Sequence, residues 1–135
     1  MFLCVDPGID TGWALFDGDT LRICGLGLPH PLPFLQFLEV LYIERPQVYP
    51  RSKTNPNDLI TLAIQVGRII ERVGLPTQTV LPREWKGQVP KGVMCRRITQ
   101  ALTPQERALL PGLPPSKLHN VLDAVGIGLW KKGRL

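Results

Sequence analysis

An apolar run, Met1 to Val5, stops at Asp6-Pro7-Gly8, and a second, Thr11-Gly12-Trp13-Ala14-Leu15-Phe16, begins almost at once. Runs this apolar and this short read as strands covered on both faces, so the chain should build a sheet around a central strand that ends in a carboxylate. A buried charge is costly unless it is paired, hydrogen-bonded or bound to a cation. Asp6 therefore either caps the turn at Pro7-Gly8 or belongs to a site.

Two further acids favour a site. Glu44 ends Glu39-Val40-Leu41-Tyr42-Ile43-Glu44, a strand-like run stopped by Arg45-Pro46. Asp123 lies in a helix that should start near Ser116. At about 100° per residue, Leu118, Val121, Leu122, Val125 and Leu129 form an apolar stripe, with Lys117, Ala124, Gly128 and Lys131 on the solvent side. Asp123 falls on neither, on a flank with His119, Gly126, Ile127 and Trp130, and is expected to be at least half buried. Acids at two strand ends and on one helix flank can converge on a hard divalent cation, which takes a few carboxylate oxygens and leaves the rest of its shell to water and phosphate.

The remaining pattern gives a single α/β domain over residues 1–135. Strands are expected at 1–6, 12–16 and 21–26, with Asp17-Gly18 turning the last two into a hairpin, then at 39–44 and 77–81. Pro29 to Pro33 leads into a short helix at 34–38. A longer helix over 57–73 is capped by Asn57 and ended by Gly74, and its residues Ile60, Ile64 and Ile69 are spare to the stripe facing its own sheet. A basic loop from Arg83 to Lys91, a helix at 93–102, a Pro-punctuated turn and the last helix follow. The result is a sheet layered with helices.

Sixteen Lys and Arg against eleven Asp and Glu, a formal charge of +5, suit a polyanionic partner such as nucleic acid. Cys4, Cys24 and Cys95 show no CxxC spacing and read as reduced thiols of a cytoplasmic protein, without a disulfide framework or zinc site. No apolar run approaches a membrane span, and no basic region precedes the first one, so neither anchoring nor secretion is expected.

Asp6-Pro7-Gly8 followed by a Thr-Gly strand, Ile43-Glu44 at the fourth strand end, and Leu122-Asp-Ala-Val-Gly-Ile-Gly128 in the late helix together resemble the RuvC family of Holliday junction resolvases, within the ribonuclease H-like superfamily. The resemblance runs in order along nearly the whole chain. The abbreviated segment between the third and fourth strands is similar to the compact bacteriophage members, which implies a protein working in the cytoplasm of a bacterial host. It implies a ribonuclease H-like fold, a five-stranded mixed sheet with helices on both faces. It also implies a homodimeric, Mg²⁺-dependent endonuclease, with Mn²⁺ as a substitute, that makes paired nicks in four-way DNA junctions. Asp6, Glu44 and Asp123 match three of the family's four metal-binding positions. At the fourth, where relatives have Asp or His, this chain has Asn120, with His119 beside it.

Phosphodiester hydrolysis suits those residues, because two metals about 3.5–4 Å apart can activate water and neutralise the leaving oxygen. Asp6 is then the bridging ligand, and Glu44 and Asp123 hold one ion each. His119 and Asn120 stand four and three residues before Asp123, both within reach of a shared ligand in a helix. The imidazole is the better base or ligand, or else His119 only packs the first turn. Tyr49, Arg51 and Lys53 follow Glu44 on a loop, and Lys86, Lys91, Arg96 and Arg97 follow the fifth strand; these are the candidate DNA contacts. Tyr49 corresponds to an aromatic wedge of the family or is an ordinary loop tyrosine, and Trp85 reads as core. Rival readings are a nuclease acting on RNA/DNA hybrids or other branched DNA and a non-catalytic DNA-binding relative. An actin-like or sugar-kinase ATPase needs a second such domain, which a chain of 135 residues lacks.

Overall fold

The computed structural model describes residues Met1–Leu135. Five strands, β1 (Phe2–Asp6), β2 (Gly12–Asp17), β3 (Thr20–Leu26), β4 (Val40–Glu44) and β5 (Thr77–Val80), form one mixed sheet in the order β3-β2-β1-β4-β5. β1 is central, antiparallel to β2 and parallel to β4. Leu3, Cys4 and Val5 are wholly buried, as a strand covered on both faces requires. The segment expected as a helix at 34–38 is a single 3₁₀ turn, Leu35–Phe37.

Helix α1 (Pro56–Val73) covers one face of the sheet, packing Val66, Ile69 and Val73 on Leu3, Val5, Leu15, Leu41 and Ile43. Asn55, not Asn57, is its cap: the Asn55 side chain accepts from the Asn57 amide at 2.9 Å, because Pro56 fills the first helical position. Gly74 ends it in the left-handed conformation. Ile69 belongs to this core rather than to a spare face, whereas Ile60 and Ile64 are more than half exposed.

The other face carries the short α2 (Pro82–Trp85), α3 (Lys91–Ala101), α4 (Pro104–Arg107) and the long α5 (Pro115–Lys131). α5 packs across β1, β2 and β3 and against α3, so Ala124 and Gly128, expected on its solvent side, are buried. The reason is size. A Cβ at Gly128 would lie 2.1 Å from the Phe16 ring, and one at Gly12 would lie 1.9 Å from the Asn120 carbonyl oxygen. Absent side chains thus let the helix descend onto β2.

A buried ion pair closes this face. Glu106, 2% exposed, accepts from the Leu21 amide (2.8 Å), the Thr103 amide (2.9 Å) and both Arg134 guanidinium nitrogens (2.9 and 2.7 Å). Arg134 also donates to the carbonyls of Asp19 and Ala101, tying the C-terminal residues to the β2–β3 hairpin and to α3. The Arg134 hydrogen bonds hold the Glu106 carboxyl down at about 2. All three cysteines are free, Cys4 and Cys24 buried and Cys95 half-buried, and no helix is long and apolar enough to cross a membrane.

Candidate active site

Strand periodicity brings two acids to the same place. Counting in twos, Phe2, Cys4 and Asp6 of β1 and Val40, Tyr42 and Glu44 of β4 lie on the α5 face of the sheet. The parallel pairing Val5↔Ile43 sets Asp6 and Glu44 at the same ends of adjacent strands. Asp123 descends on them from α5, its side chain only 13% exposed.

A lysine and a tryptophan that sequence reading left outside the acid set complete the arrangement. Lys86, just past α2, puts its ammonium 3.5 Å from Glu44 Oε2 and 3.4 Å from Asp123 Oδ2. The indole Nε1 of buried Trp85 donates to the same Glu44 oxygen at 2.8 Å. That ring fits because position 126 is glycine, where a Cβ would stand 2.5 Å from it. Trp85 is core, as its apolarity suggests, and also orients an acid 41 positions away in sequence. From α1, Gln65 holds the turn after Asp6, donating to the Gly8 carbonyl and, at 3.2 Å, to the Thr11 hydroxyl. The available signal for Gln65 was a polar residue on the buried side of an amphipathic helix.

Electrostatics mark these acids as crowded. Burial, then the carboxylates of Asp123 and Glu44, hold Asp6 well above the usual carboxylate range. Burial also raises Glu44, against the opposing pull of Lys86 and Trp85. Burial works against the Lys86 ammonium, yet Asp123, Glu44 and Asp6 outweigh it and raise its pKa. The Cys95 thiol is pushed up by partial burial and by Asp123. Three carboxylates from three elements, two of them paired to one ammonium, are a hard-oxygen donor set short of positive charge, and that chemistry fits Mg²⁺ or Mn²⁺. No three His, Cys, Asp or Glu side chains stand at ligand distance of one point; Lys86 lies between two of the acids instead.

Neither His119 nor Asn120 hydrogen-bonds to Asp123, whose only side-chain partner is Lys86. Asn120 donates to the Lys117 carbonyl at 3.4 Å and presses its own carbonyl on Gly12. His119 is half-buried, its Nδ1 without a partner. Tyr49 and Glu44 line one cleft of about 210 Å³ with Pro7, Ser52 and Pro82. Arg51 and Lys53 are exposed on the same loop, and Lys91, Arg96 and Arg97 are exposed on α3. Lys91 is near enough to Asp6 to lower its pKa against the larger opposing effects.

No protein-family model and no curated protein matches the chain. Among solved structures, Thermus thermophilus RuvC is similar at 16% identity, with 96% of this chain and 91% of that one covered and a TM-score of 0.55. T. thermophilus RuvC in complex with a Holliday junction substrate is similar at the same identity over 96% and 90%, with a TM-score of 0.50. What is shared at such identity is the architecture: the chain has the ribonuclease H-like α/β fold of RuvC.

Proposed function

We propose that this chain is a metal-dependent endonuclease that resolves four-way DNA junctions. The observation that carries the reading is the pairing of Glu44 and Asp123 on one ammonium, with the buried carboxyl of Asp6 beside them on the same face of the sheet. A similar fold in complex with a Holliday junction supports the choice of substrate. Asp6, the most buried of the three, would bridge two Mg²⁺ or Mn²⁺ ions, with Glu44 and Asp123 holding one each. Two such ions, when bound, supply a water-derived nucleophile and neutralise the leaving oxygen.

The protein's own residues do the rest. Trp85 fixes the rotamer of Glu44, Gln65 fixes the turn that aims Asp6, and burial keeps bulk water from screening the acids. Lys91, Arg96 and Arg97 on one side, with Arg51 and Lys53 on the other, offer phosphate contacts along the DNA. Tyr49, 43% exposed in the cleft that reaches Glu44, would stack on an unpaired base at the branch. Opposed nicks in a two-fold symmetric junction call for a two-fold symmetric homodimer, and the exposed Ile60 and Ile64 of α1 are its candidate interface.

The test is a comparison of substrates. With Mg²⁺, the protein should nick opposed strands of a synthetic four-way junction and leave linear duplex and RNA/DNA hybrid intact. Preferential cleavage of the hybrid would move the reading to a ribonuclease. Junction binding without cleavage of any substrate would make the chain a non-catalytic relative.

A further inference from the structure

We propose that Lys86 is a resident counter-cation, holding Glu44 and Asp123 together in the metal-free protein and giving them up when divalent ions bind. The inference rests on the metal-dependent reading above. It starts from a geometric conflict: the Lys86 ammonium is 3.5 Å from Glu44 and 3.4 Å from Asp123, on the very oxygens a metal would need. A divalent ion bound there repels the ammonium and competes with it for the same oxygens, so the lysine is driven outward.

The neighbourhood lets it leave without unfolding anything. Its backbone is fixed, the Lys86 amide donating to the Pro82 carbonyl at 3.0 Å, so only the four-carbon stem has to swing. The side chain is 27% exposed, against 14% and 13% for its partners, so the route outward is open on the lysine's side alone. The Trp85 ring, with its centroid 4.9 Å from the ammonium, keeps a second favourable contact for the cation as it moves. Glu44 keeps its indole donor throughout and so stays aimed while the ammonium is exchanged.

Lys86→Met keeps the apolar stem over Trp85 and removes only the charge. Isothermal titration of Mn²⁺ into the parental protein and this variant, with melting in EDTA, tests the inference without any cleavage assay. The variant should melt roughly 3–6 °C lower in EDTA, bind Mn²⁺ roughly tenfold more tightly, and recover its melting temperature once Mn²⁺ is bound. Lys86→Arg should restore the metal-free stability. Unchanged or weaker Mn²⁺ binding by Lys86→Met would overturn the counter-cation role and leave the metal site standing. If the parental protein binds no Mn²⁺, both readings fall together. Should the variant fail to fold, Mg²⁺ titration of parental protein carrying ¹³C-lysine decides: the Lys86 Cε resonance must move on binding, and a stationary one overturns the proposal.

Discussion

Gly12→Ala should displace α5 and, with it, Asp123. A Cβ at this position would stand 1.9 Å from the Asn120 carbonyl oxygen, 2.3 Å from its carbon and 2.8 Å from the Val121 nitrogen. Those are backbone atoms, so no rotamer change relieves the clash, and the helix must retreat by roughly 1.5 Å to restore ordinary contact. Overpacking of this kind costs about 1–3 kcal/mol, and against a rigid backbone the upper end applies. For a chain of this size that is a fall in Tm of roughly 5–15 °C. Asp123 is three residues beyond Asn120 on the same helix, so it moves too, and a misplacement of about 1 Å is worth roughly a hundredfold in rate. Thermal denaturation followed by circular dichroism, with junction cleavage measured well below the transition, reads both effects. Gly92→Ala is the control: this glycine is exposed in the first turn of α3 with nothing near its missing Cβ, and the change should not destabilise. A Gly12→Ala protein that melts like its parent and cuts at full rate would refute the account of how α5 is seated.

Trp85→Phe keeps the buried ring and deletes the bond to Glu44; Mn²⁺ affinity should fall roughly 10–100-fold, and unchanged affinity in titration calorimetry would remove Trp85 from the site. Glu106 has a depressed folded-state pKa of about 2, so its stabilisation is complete above the unfolded value and is lost as pH falls from about 4.5 toward 2. Glu106→Gln should therefore cost about 3 kcal/mol in urea titrations at pH 7, with the two proteins converging near pH 2; equal midpoints at pH 7 would sink this. Ile60→Arg with Ile64→Arg should leave the fold intact and shift light-scattering mass from dimer to monomer, whereas a parental protein that is monomeric even with junction bound would exclude the dimer.

The parts that the sequence made legible depend on local pattern. Short apolar runs and abrupt polar stops placed β1, β4 and their terminal acids, and helical spacing found α1 and α5. Helical spacing failed where size mattered more than polarity. The helical wheel sets Ala124 and Gly128 on the solvent side with two lysines, but their small size is what allows α5 to be buried on its sheet side and against α3. Spacing put His119 and Asn120 one turn before Asp123, as α5 does, but could not show that the Asn120 backbone lies hard against Gly12 of β2. The contacts that organise the site join residues far apart in sequence: Trp85 to Glu44, Lys86 to Asp123, Gln65 to Gly8. No periodicity encodes such pairs. The same holds for Glu106 and Arg134, which look like ordinary surface charges in a Pro-rich turn and a C-terminal stretch until the fold buries one against the other.

The central claim is that Asp6, Glu44 and Asp123 together hold the metals that cut a DNA junction. The most direct measurement sets Asp6→Asn beside the parental protein on a synthetic four-way junction, with binding read by gel shift in Ca²⁺ and nicking in Mg²⁺. Binding rests on cations meeting phosphates and should survive nearly unchanged, while nicking should fall more than about a hundredfold. A variant that still cuts within about a hundredth of the parental rate would contradict the assignment of Asp6 as the shared ligand.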